Sequence, residues 1–179
     1  MDQRKNSLGK SKSYDMIDIA RVVGSNGCMS KLSLSCCPGK NNTLNRDLSI
    51  IKKENIDIIV CLLEWSEMEI LGISDYPNKV HESGFLFYHM PIKDRGVPKT
   101  EDIKVLIYTL VTKLLEGKNV LVHCRGGLGR AGLVCACCLC HFGYQGKESI
   151  ETVRRLREGA IQTEKQEEVV LMYKKYLCR

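Results

Sequence analysis

The segment NVLVHCRGGLGRAGLVCACC, residues 119–138, constrains this chain more than any other. Its apolar run VLVHC has the pattern of a strand covered on both faces, as found in parallel sheets flanked by helices. The run breaks into a loop with three glycines and two arginines around one cysteine, then becomes apolar again in RAGLVCACCLCHF. A strand, a glycine-rich loop and a buried helix in that order form half of a βαβ unit. At 179 residues the chain has room for one well-buried core.

Similar units recur on either side. IDIIVCLLE and GFLFYHMPI read as buried parallel strands, and KLSLSCCPG as a strand ending at the turn signal Pro38-Gly39. NTLNRDLSIIKKEN reads as a short helix on Leu44, Leu48 and Ile51. KTEDIKVLIYTLVTKLLEG places Ile103, Leu106, Ile107, Leu110, Val111, Leu114 and Leu115 at helical spacing, with Thr100 as N-cap and Gly117 as the stop. KESIETVRRLREG and TEKQEEVVLMYKKYL close the chain as helices. The pattern predicts a single α/β domain over residues 29–179, with a mainly parallel central sheet flanked by helices. Residues 1–28, polar and basic at first, read as a tail or linker.

The formal net charge of +6 favours anionic partners. Ten cysteines without a recognisable secretion signal argue for reduced thiols rather than a disulfide framework. No apolar run reaches the roughly 18 residues of a membrane span. The expectation is a soluble intracellular protein of the cytoplasm or the nucleus. Cys135, Cys137, Cys138 and Cys140 contain C-x-x-C spacings, but no second half-site accompanies them, so burial in a helix is the reading and no metal is expected.

The loop at residues 124–130 lies where a parallel strand hands over to a helix, the position at which open α/β sheets bind ligands. Gly126, Gly127 and Gly129 allow successive N–H groups to point inward as an anion nest. Arg130 offers a planar fork to a tetrahedral oxyanion, and Cys124 at the base sits in the same positive field, the setting of an activated thiolate. A nucleotide-binding loop would need Gly-Lys-Ser or Gly-Lys-Thr, and a dinucleotide loop G-x-G-x-x-G; neither is present.

HCRGGLGRAG matches the H-C-x5-R signature loop, and through it the chain resembles the cysteine-based protein phosphatases, the superfamily of tyrosine and dual-specificity enzymes. PIKDRGVP resembles their mobile general-acid loop, with Asp94 in the acid's place. GAIQTEKQ resembles the segment that, in the tyrosine-specific branch, orients the hydrolytic water; Gln162 is the first candidate there and Gln166 the second, because Thr163 and Gln166 also have capping-box spacing. With LSLSCCPG, these segments look closest to the kinase-associated phosphatase group, also called the cyclin-dependent kinase inhibitor 3 family. The resemblance implies a protein-tyrosine-phosphatase-like fold and a cysteinyl-phosphate mechanism with Cys124, Arg130, Asp94 and Gln162 as catalytic residues. Arg125, Gly126, Gly127, Leu128, Gly129 and Arg130 would hold the phosphate, and His123 would support the loop. No cofactor or metal is implied, since the nest and Arg130 supply the positive charge. The implied partner is a phosphorylated protein, a kinase activation segment among the candidates, and no nucleic acid is expected.

Two other enzyme activities occur on this scaffold, phosphoinositide and RNA 5′-phosphatase, and a phosphate-binding scaffold is a third alternative. Arg125 speaks for the first pair; the absence of lysine from CRGGLGR speaks against phosphoinositides, and the joint presence of Cys124, Arg130 and Asp94 against a scaffold. The chain departs from the family pattern at Ala131, where many members carry Ser or Thr, and at Ile92-Lys93, where tyrosine-specific members have Trp-Pro. Nothing resembles the tyrosine-bearing loop that deepens a pocket for phosphotyrosine, so phosphoserine and phosphothreonine fit the expectation too. Lys93, Arg95 and Arg125 are candidates for a substrate with additional negative charge, whereas RRLRE at 154–158 reads as an exposed helix face. Cys61 is read as core packing, with a reversible disulfide to Cys124 as the alternative.

Overall fold

Two four-residue apolar segments occupy the middle of the sheet, covered on both faces. In a computed structural model, which describes residues 15–23, 27 and 29–178, these are β3 (Ile58–Cys61) and β5 (Val120–His123); β1 (Met16–Val23) and β2 (Met29–Ser35) come first in the chain, and β4 (Leu86–His89), expected to be a buried strand, lies at the edge of the sheet with Leu86 exposed. The order is β1-β2-β5-β3-β4; β5 enters between β2 and β3, and all neighbours are parallel except β1, which runs antiparallel to β2. Strand alternation divides the core in two. Leu32, Leu34, Ile58, Val60, Leu62, Val120 and Val122 face α4 (Thr100–Leu115), α5 (Gly129–His141), α6 (Gly146–Leu156) and α7 (Glu164–Leu177). Ile59, Cys61, Leu63 and Leu121 face α1 (Leu44–Lys53), α2 (Trp65–Ile70) and α3 (Tyr76–Glu82).

The expected α/β architecture is therefore present, with differences that have local causes. Met16–Val23, inside the segment expected to be a tail, is a strand: MIDIARVV is rich in β-branched residues, and seven of its residues pair with β2. Residues 1–14, 24–26 and 28 of that segment lie outside the described residues. The helix expected to be capped by Thr100 starts on that residue, with Lys99 at the cap and no side-chain capping bond. Leu115, at the end of this helix, is exposed while Ile103, Leu106, Ile107, Leu110, Val111 and Leu114 are buried. The two short helices α2 and α3 have too few turns to show helical periodicity in sequence.

Helix α5 is the most enclosed helix, with every residue from Gly129 to Cys140 buried. It leaves the catalytic-type loop and runs under the sheet, packed by α4, α6 and α7. Its cysteines fill the space as small apolar groups, as expected. Among the described residues no three His, Cys, Asp or Glu side chains are grouped to hold a metal ion, and no helix is long and apolar enough to cross a membrane. A hydroxyl at a site without hydrogen-bond partners costs about 1–3 kcal/mol. Cys138→Ser should accordingly lower the unfolding free energy from urea titration by that order, whereas Cys178→Ser, at an exposed position, should leave it unchanged.

Candidate active site

Parallel strands deliver their following loops to one edge of the sheet, and the ends of β2, β3, β4 and β5 meet there. Cys124 follows β5 directly and is 3% exposed. Beyond it, four successive carbonyls are each taken by a donor from outside the loop. The Arg125 carbonyl accepts from the Cys37 amide at 3.2 Å, and that of Leu128 from the Gly132 and Ile161 amides at 2.9 and 3.4 Å. Between them, the Gly126 and Gly127 carbonyls accept from Arg157 Nη2 and Nε at 3.2 and 3.3 Å. In a trans peptide the C=O and the next N–H point in opposite directions. Fixing these carbonyls outward therefore turns the N–H groups of Gly126, Gly127, Leu128 and Gly129 to the concave side, forming the anion nest expected from sequence.

One of the three glycines is sterically required, and a second is closely approached by side chains. Gly127 has φ +66°, and a Cβ there would collide with the Ser35 carbonyl and the Cys36 amide. A Cβ on Gly129 would lie 2.8 Å from Gln162 Oε1 and 2.9 Å from Gln166 Oε1. Gly126 has neither a left-handed backbone nor a tight contact.

Arg130, in the first turn of α5, is 1% exposed, so its charge must be met inside the protein. Nη1 donates to Glu67 Oε2 at 2.6 Å and to the Ile92 carbonyl at 2.9 Å; Nη2 donates to Glu67 Oε1 at 2.9 Å and lies 2.9 Å from Asp94 Oδ1. Nε is buried and, among the described residues, has no partner. Burial is the largest influence on both Arg130 and Glu67 and opposes their charge, but their hydrogen bonds and the attraction of neighbouring opposite charges together outweigh it: the arginine's pKa is raised and the carboxyl's lowered. Glu67 escaped the sequence reading because its helix is short and lies far from the signature loop in sequence. The only sign of it in sequence was an obligation: a buried arginine needs a carboxylate.

Asp94 is exposed and sits on a tight turn in which Arg95 has φ +58° and the Gly96 amide bonds the Lys93 carbonyl at 2.8 Å. The turn is tied down by Gln166, fully buried, whose Nε2 donates to the Gly96 carbonyl at 3.0 Å. Gln166 Oε1 accepts from the Gln162 amide at 2.9 Å, so one side chain joins the acid loop to the Gln162 segment. Its amide also donates to Thr163 Oγ1, the capping contact expected from spacing. Gln162 itself is exposed, with its side-chain oxygen beside Gly129. Arg154 braces this segment, donating to the Ala160 and Ile161 carbonyls at 3.1 and 2.7 Å. RRLRE is thus only partly an exposed face: Arg154 and Arg157 turn inward onto the two loops that form the site. Lys93, Arg95 and Arg125 are exposed around it.

His123 is fully buried, with Nε2 2.9 Å from Tyr76 Oη. Burial pushes its pKa down to about 3, so the ring beneath Cys124 is neutral. Cys61 is buried beside it in register, free of disulfide, and burial pushes its thiol up to about 12. Ala131 is buried in the first turn of α5.

The chain is similar to known proteins in both sequence and structure. Residues 40–170 match the model of the family described as PTP-SAK, Swiss Army Knife protein, DSP-PTPase phosphatase domain. The chain is 30% identical over 147 residues to human cyclin-dependent kinase inhibitor 3, an alignment covering 78% of this chain and 69% of that protein. Among solved structures, it superposes with a TM-score of 0.81 and 25% identity on kinase-associated phosphatase with its catalytic-site cysteine replaced by serine, covering 94% of this chain and 98% of that one. It also superposes on the active form of Tk-PTP, with a TM-score of 0.67 and 29% identity over 80% of this chain and 91% of that one.

Removing one partner of a buried ion pair typically costs about 3–5 kcal/mol. Glu67→Gln should lower unfolding free energy by about 3 kcal/mol in urea titrations and weaken binding of vanadate, an oxyanion probe of Arg130. His123 gives a pH signature. Its folded pKa lies below the unfolded value of about 6.5, so the unfolded chain takes up the proton first and stability is lost as pH falls below that value. Between about pH 7.5 and 5.5 this amounts to about 1 kcal/mol. Melting temperatures over that range should fall for the wild type and fall less for His123→Asn.

Proposed function

Since the chain belongs to the dual-specificity phosphatase domain family and is an enzyme of the cysteine-dependent phosphatase class, we propose that it hydrolyses phosphate esters of tyrosine, serine and threonine in proteins through a cysteinyl-phosphate, with a kinase activation segment among its substrates. The observation that carries this reading is Arg130: a buried guanidinium whose Nε has no partner among the described residues, beside a loop whose amides face inward. The kinase as partner is suggested by relatives whose names are cyclin-dependent kinase inhibitor and kinase-associated phosphatase.

In the first step the Cys124 thiolate attacks phosphorus, the bond from phosphorus to the leaving oxygen breaks, and Asp94 gives that oxygen its proton. In the second, water attacks the phosphocysteine while Asp94 takes the water's proton; the S–P bond breaks and inorganic phosphate leaves with the thiolate restored. Gln162, beside Gly129, orients the water. The loop amides and Arg130 hold the equatorial oxygens in both steps. Exposed Lys93, Arg95 and Arg125 give the mouth a positive rim suited to a substrate with further acidic groups.

Turnover on phosphotyrosyl and phosphothreonyl peptides, inositol phospholipids and triphosphorylated RNA should favour the peptides; preference for lipid or RNA would overturn the substrate class. Cys124→Ser should abolish turnover and keep peptide binding, and steady hydrolysis by that variant would remove Cys124 as nucleophile. Asp94→Asn should slow phosphothreonyl peptides by about 100-fold or more and aryl phosphates much less, because an aryl oxygen needs little protonation to leave.

A further inference from the structure

Resting on that reading, we propose that Asp15, at the entry to β1, is a positioning residue for the reaction: it grips Arg157 with both carboxylate oxygens, and Arg157 holds the carbonyls of Gly126 and Gly127 in the catalytic loop. The topology explains how so early a residue reaches the site. Because β1 is antiparallel to β2, its first residue pairs with the last of β2, Met16 opposite Ser35. That is the edge where the loops gather, and the Ser35 carbonyl is the group against which Gly127 is pressed.

Arg157 stands at the end of α6, where its own amide bonds the Val153 carbonyl at 2.8 Å and its carbonyl accepts from the Ala160 amide at 3.1 Å. Its stem is thus fixed. The head is divided between two tasks. Nη1 donates to Asp15 Oδ1 and Nη2 to Asp15 Oδ2, each at 2.5 Å, while Nε and Nη2 also reach the Gly127 and Gly126 carbonyls at 3.3 and 3.2 Å. The carboxylate orients the guanidinium plane; the guanidinium orients two peptide groups. Those peptides carry the N–H groups of Gly127 and Leu128, turned to the opposite side, where the phosphate oxygens are held in the proposed reaction. The arginine side chain is 15% exposed and the carboxylate 50%, so the pair is partly shielded from competing water. The carboxyl is held below its usual pKa, by the Arg157 hydrogen bonds first, which keeps it charged through neutral pH.

A bidentate carboxylate fixes the plane of an arginine in a way that neither a neutral amide nor a lysine reproduces. Without Asp15 the guanidinium can rotate, and its long contacts to the two carbonyls are the first to be lost. Small misplacements of catalytic donors reduce rates disproportionately.

The test is steady-state kinetics on p-nitrophenyl phosphate and inhibition by vanadate, measured well below the melting temperature, for the wild type, Asp15→Asn, Asp15→Glu, Arg157→Lys and Asp15→Asn with Arg157→Lys. We expect Asp15→Asn to lower kcat/KM and vanadate affinity by about five- to tenfold. Asp15→Glu should recover part of both, and the double variant should be no worse than Arg157→Lys alone, because the two residues act in series. A purely structural role would lower the melting temperature of Asp15→Asn while leaving kcat/KM and vanadate inhibition at wild-type values, and would overturn the inference. So would additive losses in the double variant. A wild type that neither turns over aryl phosphate nor binds vanadate would overturn the phosphatase reading and this inference with it, whereas an active wild type with an indifferent Asp15→Asn overturns the inference alone.

Discussion

The pairing of Arg130 with Glu67 is the interaction on which the site depends. A guanidinium that is 1% exposed is tolerable only when a carboxylate meets it in good geometry, and the two-pronged contact at 2.6 and 2.9 Å does so. The pair also decides which donors of Arg130 remain for other work. Glu67 and the Ile92 carbonyl occupy the inner edge of the fork. What is left is Nε, without a partner among the described residues, and the side of Nη2 that meets the exposed Asp94 carboxylate at 2.9 Å. Helix α2, only six residues long, matters because it carries this carboxylate to the end of β3.

The loop obeys the same logic with backbone groups in place of side chains. A peptide chain cannot leave its carbonyls unpaired in a partly buried position, and here Cys37 after β2, Gly132 in α5, Arg157 at the end of α6 and Ile161 beside Gln162 each supply a donor. Satisfying the carbonyls from outside is what frees the amides inside. The two inward-turned arginines of α6 serve adjoining loops: Arg154 fixes the segment bearing Gln162, and Arg157 the loop bearing Cys124. Gln166 links the first of these to the acid turn. Nucleophile, acid and water-orienting candidates thus rest on one connected hydrogen-bond network anchored in α6 and α7.

What the sequence disclosed follows from the range of the interactions concerned. Cys124, the glycines and Arg130 lie within seven consecutive residues, so their geometry is local and legible; the apolar runs marked the parallel strands, but not that β4 would lie at the edge. Asp94 and Gln162 were found through resemblance of their flanking residues. Glu67, Asp15 and Arg157 were not, because each acts across the fold: the separation from Glu67 to Arg130 is 63 residues and from Asp15 to Arg157 is 142. An acidic residue on a short helix, or in what reads as a polar tail, looks like any solvated carboxylate until its partner is placed beside it. Periodicity identifies buried faces, but it carries no information about which charge on one element answers which on another.

Arg130 finally carries two carboxylates of different character, and the difference gives each a distinct place in the proposed cycle. Glu67 is buried and bonded twice, so displacing it would strand a charge in the core. Asp94 has a side chain 60% exposed and a single contact to Nη2; water replaces such a contact at a cost of about 1 kcal/mol or less. In the proposed cycle an incoming phosphate, able to accept from Nη2 and Nε together, outcompetes Asp94 for the arginine but not Glu67. Asp94, the proposed acid, is then released as the ester is seated, with its turn still held by Gln166 through the Gly96 carbonyl. In the proposed cycle, the event that seats the ester therefore also frees the carboxyl for proton transfer to the leaving oxygen.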